Sequence, residues 1–352
     1  MAKKIKLDFD PYSFARVSVM STALISANDY KKLIKMKFAE LIKYLEESDY
    51  REEIDRLAIK YTGALLIEKA LNENLIKTYK KLQRISNPGT NSMIAQYIKR
   101  KDFWNIKTIA RAKNKAMPLN EIKDMLLPIG LLDEKKLDLL LKKNTVREII
   151  EESGYANVKD MAKALKFYEE NKSLSLVENA LDKEYYRSSV DYAAMLPDDA
   201  KAYKEFLLSE VDLVNIETII KLKKLGLKQD EIADCLVQGG LLLENKDLLS
   251  LIAAKDMKEL FKEINKMPYR GAIKKSFENC NENSSLAAIS SAIDNYLFSK
   301  TMQLHYKFSL SINTVIGYMF AKEIEIKNLF TIIKSKQLSL GEGFIEPLLI
   351  TR

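Results

Sequence analysis

Asn105-Ile106-Lys107-Thr108-Ile109-Ala110-Arg111 decides how this chain is organised, because close copies of this stretch occur twice more. The copies begin at Asn215 and Asn328, and each repeats the asparagine, the threonine, the aliphatic positions and a closing basic residue. Successive copies lie roughly 110 residues apart, which is the size of a domain rather than of a short solenoid repeat. The chain is therefore predicted to contain one helical module three times.

Ionisable residues flank each copy in a fixed register. An acid stands three residues before the asparagine, and a lysine stands eight residues after it. A carboxylate in that place is typical of a helix N-cap, whereas a lysine suits a helix carboxyl end. We therefore predict that each copy lies on a helix that begins near its acid. The acids are Asp102, Asp212 and Glu325, and the lysines are Lys113, Lys223 and Lys336.

The asparagines are expected to be half-buried. Asn215 shares a helical face with Ile219 and Leu222, and Asn105 and Asn328 have the same setting. A buried amide needs a hydrogen-bond partner, which we expect on a neighbouring helix. A second hypothesis is that the three asparagines line a shared central opening.

Two further landmarks recur in the same order. One is a helical stripe with a small, an aliphatic and a short polar residue in succession, as in Ala70-Leu71-Asn72. The other places a glutamate seven residues after an aliphatic residue, within residues 33–41, 141–149 and 252–260. Together these landmarks predict three similar helical domains, at residues 1–118, 119–227 and 228–352.

The fold class follows from this patterning and from composition. Apolar positions step by three and four, and 352 residues contain only 11 Gly and 7 Pro, so we predict an all-α protein. An open line of repeats would need polar end caps, and neither terminal domain is specially polar. We therefore expect pseudo-threefold symmetry about a central axis.

The sequence offers little for catalysis. One histidine, His305, cannot form a two-histidine metal site, and two cysteines, Cys235 and Cys280, are too few for a disulfide framework. No phosphate-binding Walker loop is present. We predict no cofactor, no metal and no small-molecule substrate. The apolar stretch 308–321 is too short to cross a bilayer.

The pattern acid-x-x-Asn-Ile-x-Thr-Ile-x-Arg/Lys-x-Lys resembles the C subunit of the A/V-type rotary ATPases, called the d subunit in eukaryotes. The preceding segments, Leu66-Ile-Glu-Lys-Ala-Leu71 and Leu176-Val-Glu-Asn-Ala-Leu-Asp182, carry the same resemblance, and it extends over nearly the whole chain. The third copy departs from the pattern, because Ser290 stands where the others have Glu68 and Glu178.

The resemblance implies a funnel-shaped, non-catalytic rotor subunit with a central cavity. Such a subunit would lie peripherally on the cytoplasmic face of the cell membrane, between the central shaft subunits of the ATPase head and the membrane proteolipid ring. It would couple ion transport to ATP synthesis or hydrolysis. The residues expected to line the socket for the shaft are Arg111, Lys221, Lys334, Asn105, Asn215 and Asn328.

An alternative function is also open. A net charge of +8 and the internal repeats suit a helical-repeat scaffold that binds nucleic acid or another acidic partner. A phosphate binder should lose affinity steeply with salt, whereas a socket with an apolar floor should not. The resemblance favours the rotor subunit and predicts no nucleic acid partner.

Overall fold

The computed structural model describes residue 5 and residues 10–267, 286–307 and 312–351. Within these ranges the side chains of residues 286–288 and 302–307 are not described. The expectations placed on Cys280, on the His305 side chain and on the apolar stretch 308–321 as a whole fall outside this part of the chain.

The described ranges are helical and contain no β-strand, which confirms the predicted all-α class. Short 3₁₀ turns at Asp198–Ala200 and Glu346–Leu348 accompany the α-helices. In chain order the α-helices are α1 Pro11–Ser21, α2 Ala27–Lys35, α3 Phe38–Glu46, α4 Arg51–Leu57, α5 Gly63–Ile85, α6 Pro88–Asn114, α7 Leu119–Met125, α8 Glu134–Leu141, α9 Val146–Ser153, α10 Ala162–Asn171, α11 Ser175–Met195, α12 Lys201–Lys224, α13 Gln229–Asp234, α14 Asn245–Ala253, α15 Met257–Ile264, α16 Leu286–Lys307, α17 Ile312–Gln337 and α18 Glu342–Ile345.

The chain divides into two compact units. One contains Met1–Lys6 and Ser92–Ile289, and the other contains Leu7–Asn91 and Ser290–Arg352. The second unit thus joins residues from the first and third predicted domains. The ranges 1–118, 119–227 and 228–352 stay a prediction.

The glutamates of the second landmark start equivalent helices. Each carboxylate accepts a hydrogen bond from a backbone amide just before α3, α9 or α15, at 2.7–3.0 Å. These bonds satisfy amides that a helix leaves free at its start. The pairs are Glu40 with Lys37, Glu148 with Asn144, and Glu259 with Lys255.

The long helices that carry the repeated stretch form the core. Along α12, buried side chains occur on every face, including Phe206, Ile216 and Leu222. A helix that is apolar all round must be surrounded by other elements, which explains why α12 is central in its unit. Helix α17 is buried along most of its length in the other unit.

No described helix combines enough length with enough apolar character to span a bilayer.

Candidate functional site

The three acids lie inside their helices and do not cap them. Asp102, Asp212 and Glu325 stand well after the first residues of α6, α12 and α17. The capping prediction was wrong because each helix begins several turns earlier, where aliphatic and aromatic residues continue the helical pattern. The nearby helix amides are then already bonded, and the carboxylates bind other groups.

In α6 and α12 the carboxylate instead binds the loop that follows the next short helix. Asp102 accepts hydrogen bonds from the amides of Leu131 and Leu132, at 2.8 and 3.1 Å. Asp212 does the same for Leu241 and Leu242, at 2.9 and 2.7 Å. Both acids are fully buried. Each pairing therefore supplies a buried acceptor to the loop amides.

The asparagines hold the same loops from one helical turn further along. Asn105 donates to the carbonyl of Leu127 at 2.7 Å and accepts from its amide at 2.9 Å. Asn215 and Val237 repeat this pair at 2.8 and 2.9 Å, again across 22 residues. All three asparagines, Asn328 included, are at most 2% exposed. They are thus more buried than predicted, and their partner is loop backbone and not a helix.

Two glycines let the loops approach the acids. A Cβ atom on Gly130 would overlap the Asp102 carboxylate, and one on Gly240 would overlap the carboxylate of Asp212. Any side chain at these positions would push the loop off the carboxylate. The glycines are therefore part of the motif, which we call the acid–asparagine anchor: an acid and an asparagine that together hold one loop.

The third anchor holds two separate segments. Asn328 exchanges both hydrogen bonds with Ile350 near the end of the chain, at 2.8 and 2.9 Å. Glu325 accepts from the amide of Ile25 near the start, at 2.5 Å. Ile350 thus takes the place of Leu127, and Ile25 takes the place of Leu131. The first and last segments of the chain together make one loop position.

Glu325 has a buried ionic partner. Its Oε1 atom accepts from Lys322 Nζ at 2.9 Å and from the Tyr50 hydroxyl at 2.5 Å. Lys322 is 1% exposed and also lies over the Tyr50 ring. The positive charge of Lys322 offsets part of the cost of burying the Glu325 carboxylate. In α6 the hydroxyl of Tyr155 donates to Asp102 in the corresponding way.

Burial changes the pKa values of side chains in two acid–tyrosine pairs, Asp102 with Tyr155 and Glu325 with Tyr50. It raises the pKa of Asp102, and the hydrogen bonds from Tyr155 and from the loop amides only partly offset this effect. Burial, followed by the nearby Asp102 charge, raises the pKa of Tyr155. The pKa of Tyr50 is also raised, mainly by burial and then by the nearby charge of Glu325. These tyrosines therefore act as hydrogen-bond donors at neutral pH.

The predicted socket cations are closer to solvent than the asparagines. Arg111 forms a bidentate pair with Glu178, at 2.6 and 2.9 Å. Lys334 forms an ion pair with Glu68. Arg111 holds the pKa of Glu178 below its usual range against the opposing effect of burial, and the charge of Lys221 acts in the same direction. Both positive charges therefore favour the ionised form of Glu178.

Two of the lysines that follow the copies reach other helices. Lys223 Nζ donates to the carbonyls of Ile252 and Ala254 at the end of α14, both at 2.6 Å. Lys336 Nζ donates to Ile34 near the end of α2. As expected, Lys113, Lys223 and Lys336 each lie in the last turn of the helix that carries them, and two of them also bind the end of a different helix. Burial lowers the pKa of Lys223.

The described residues contain no group of three or more His, Cys, Asp or Glu side chains placed to hold a metal ion. The chemistry that the anchors supply is structural, since their polar atoms bind backbone groups of the same chain. As a set, the six predicted socket residues stay a prediction. The three asparagines are buried, whereas Arg111 and Lys334 are exposed.

The recurring anchors, their loops and the described helices are those of an all-helical subunit built from repeats. The chain belongs to the ATP synthase (C/AC39) subunit family. The profile of that family matches residues 14–347.

Relatives similar along their whole length agree with the family. The A-type ATP synthase C subunit of Methanococcoides burtonii is 33% identical over 344 residues, covering 96% of this chain and 93% of the relative. That of Methanosarcina acetivorans is 33% identical over 342 residues, covering 96% and 92%. That of Haloferax volcanii is 30% identical over 340 residues, covering 96% and 97%.

The sequence argument missed Gly130, Gly240 and the loop residues that the anchors hold. One signal could have found the glycines, since each follows its acid at the same spacing. No local signal marks Ile25 and Ile350 as one loop position, because they are joined only by the fold.

Proposed function

We propose that this chain is a non-catalytic central-stalk subunit that couples the rotating shaft of an A-type ATP synthase to the membrane proteolipid ring. It lies peripherally on the cytoplasmic face of the membrane and turns with both partners. The observation that carries this proposal is the threefold recurrence of the acid–asparagine anchor on the most buried helices. The polar groups of the anchor make the fold stiffer, because each acid and asparagine fixes loop backbone to a core helix.

A coupler must transmit torque without deforming. Closely packed helices whose loops are tied to the core meet that requirement, because packed interiors have low compressibility and transmit strain. Names of similar proteins support membership of the same kind of complex. The stiff anchors support a mechanical role within it.

We place the shaft against Arg111, Lys221 and Lys334. These cations occupy equivalent positions and have side chains closer to solvent than the asparagines behind them. Asn105, Asn215 and Asn328 lie on the same helices as these cations and bind loop backbone. Complementary charge on the shaft would then affect the orientation and the rate of docking more strongly than it affects the affinity.

The alternative, a scaffold for nucleic acid, finds less support. Several cations that a phosphate backbone would need already face carboxylates. Besides Arg111 and Lys334, Lys107 pairs with Asp182 at 2.6 Å, and Arg100 forms a bidentate pair with Glu210 at 3.0 and 3.1 Å. In the described part of the chain these four cations are therefore paired with carboxylates and do not form a free stripe for phosphates.

Co-purification tests the proposal. A tagged chain should bring down shaft subunits and a detergent-solubilised proteolipid ring together, and raised salt should not release the ring steeply. Recovery of nucleic acid with neither partner would refute the proposal and favour the scaffold.

A further inference from the structure

The three repeated cations, Arg111, Lys221 and Lys334, differ in how they are paired. Arg111 and Lys334 each form an ion pair with a glutamate, although their side chains are 49% and 57% exposed. Lys221 is less exposed than either of them. Among the residues that the structure describes, however, the Lys221 side chain forms neither a hydrogen bond nor an ion pair. Within this part of the chain, the least exposed cation of the set is therefore the unpaired one.

The repeats supply fewer glutamates than cations. The partners of Arg111 and Lys334 are Glu178 and Glu68, which occupy the same repeated position in the sequence. The third copy has Ser290 at this position. Three equivalent cations therefore face only two glutamates of this kind in the sequence, and both glutamates are already used.

The position of Lys221 favours a negatively charged partner. Burial removes part of the hydration of an ammonium group, and this cost is offset only when a counter-charge and hydrogen-bond acceptors are supplied. The charge of Lys221 interacts with that of Glu178, but Arg111 binds both oxygens of this carboxylate, at 2.6 and 2.9 Å. An ammonium group has three donors. Lys221 can therefore accommodate a further carboxylate.

We propose that Lys221 binds a carboxylate of a shaft subunit, whereas Arg111 and Lys334 receive theirs from their own chain. The inference rests on the proposed function, which places the shaft against these cations, and it adds which of them pairs with the shaft. An acidic side chain of the shaft gains its strongest interaction at Lys221, because the other two charges are already balanced. Lys221 thereby gives the docked shaft one preferred orientation among three copies of similar sequence.

The first test joins the two groups covalently in the unmodified, assembled complex. A carbodiimide converts a carboxylate into an activated ester; the amine of an adjacent lysine attacks the acyl carbon, forms an amide and releases the carbodiimide as a urea. We expect an amide between Lys221 and an aspartate or glutamate of a shaft subunit, identified by mass spectrometry. Crosslinks to the shaft through other lysines but not through Lys221 would overturn the proposal, as would an amide from Lys221 to a different subunit.

The second test removes the charge. The Lys221→Gln variant should lose at least about tenfold in affinity for isolated shaft subunits, about 1.4 kcal/mol. The Lys221→Arg variant keeps the charge and should retain most of the affinity. The matched control, Lys201→Gln, removes the same charge from an exposed position at the start of the same helix and should bind like the wild type. A Lys221→Gln chain that binds as tightly as this control would contradict the proposal.

The same measurements separate this inference from the proposed function. If the wild-type chain binds the shaft subunits and Lys221→Gln binds them equally well, the inference fails and the proposed function stands. If the wild-type chain binds no shaft subunit, the proposed function is refuted. Circular dichroism and the unfolding temperature of Lys221→Gln should match the wild type, because the substitution breaks no side-chain bond within the described part of the chain.

Discussion

Glu325 accepts a hydrogen bond from the backbone amide of Ile25, 300 residues earlier in the chain, at 2.5 Å. One turn further along α17, Asn328 holds Ile350. A single core helix thus binds both ends of the described chain by the motif that α6 and α12 use for a continuous loop. The third module is complete only when the two chain segments meet.

Removal of an anchoring asparagine should destabilise the fold. In Asn215→Ala, the buried amide and carbonyl of Val237 lose their partners. Each unsatisfied group costs about 1–3 kcal/mol, so we expect a loss of about 2–4 kcal/mol in the free energy of unfolding. Denaturant titration measures it. The control Asn171→Ala removes an exposed bond within one helix and should change stability by less than about 0.5 kcal/mol.

The loop glycines should tolerate no side chain. Gly240→Ala places a Cβ atom against the Asp212 carboxylate, and overpacking of this kind costs about 1–3 kcal/mol. Thermal unfolding should show a clearly lowered midpoint. Gly341→Ala, where no atom lies within 4 Å of the new Cβ, provides the matched control. Equal midpoints for the two variants would show that the loop does not need the close approach.

The Arg111–Glu178 pair should give a pH-dependent contribution. Because the folded-state pKa of Glu178 is lowered, its contribution is fully present above the unfolded value of about 4.3 and is lost as pH falls through the folded value. Wild type should exceed Glu178→Gln by about 0.5–1 kcal/mol at pH 7. The difference should shrink towards pH 3 in denaturant titrations.

A matched variant checks that assignment. Glu169→Gln breaks a pair with Arg147 in which both side chains are about half exposed. It should change stability by less than Glu178→Gln at pH 7. A wild-type advantage over Glu178→Gln that stays constant from pH 7 to pH 3 would contradict the linkage.

Charge reversal should weaken shaft binding. The triple variant Arg111→Glu, Lys221→Glu, Lys334→Glu should lose at least about tenfold in affinity for isolated shaft subunits, about 1.4 kcal/mol. The control carries the same charge change at exposed positions, as Lys135→Glu, Lys142→Glu, Lys258→Glu. Both variants should keep the helical circular dichroism signal. Equal affinities would count against the assignment of these cations to shaft binding.

Much of the fold could be predicted from the sequence, because helical periodicity and the repeated asparagine stretch are local signals. The sequence predicts that Asn215 is partly buried, since its neighbours Ile219 and Leu222 are aliphatic, but not that its burial is nearly complete. The partners of the anchors could not be predicted. Asn215 reaches Val237 only because the intervening loop folds back, and nothing near Asp212 in sequence indicates that loop amides bind its carboxylate.

The split third module lay further beyond sequence reasoning. The stretch 14–27 corresponds in sequence order to 122–133 and 232–243, and Ile25 does take the place of Leu131 and Leu241. The place of Leu127, however, is filled by Ile350. A repeat whose parts come from opposite ends of the chain leaves no continuous pattern to find.

The central claim is mechanical coupling, and ion pumping by a reconstituted complex tests it most directly. Complexes with and without this chain are compared in proteoliposomes for ATP hydrolysis by the soluble head and for ATP-driven ion uptake. We predict that hydrolysis by the head persists without the chain and that ion uptake stops until the chain is added back. Undiminished ion uptake in its absence, or loss of hydrolysis by the isolated head, would contradict the account.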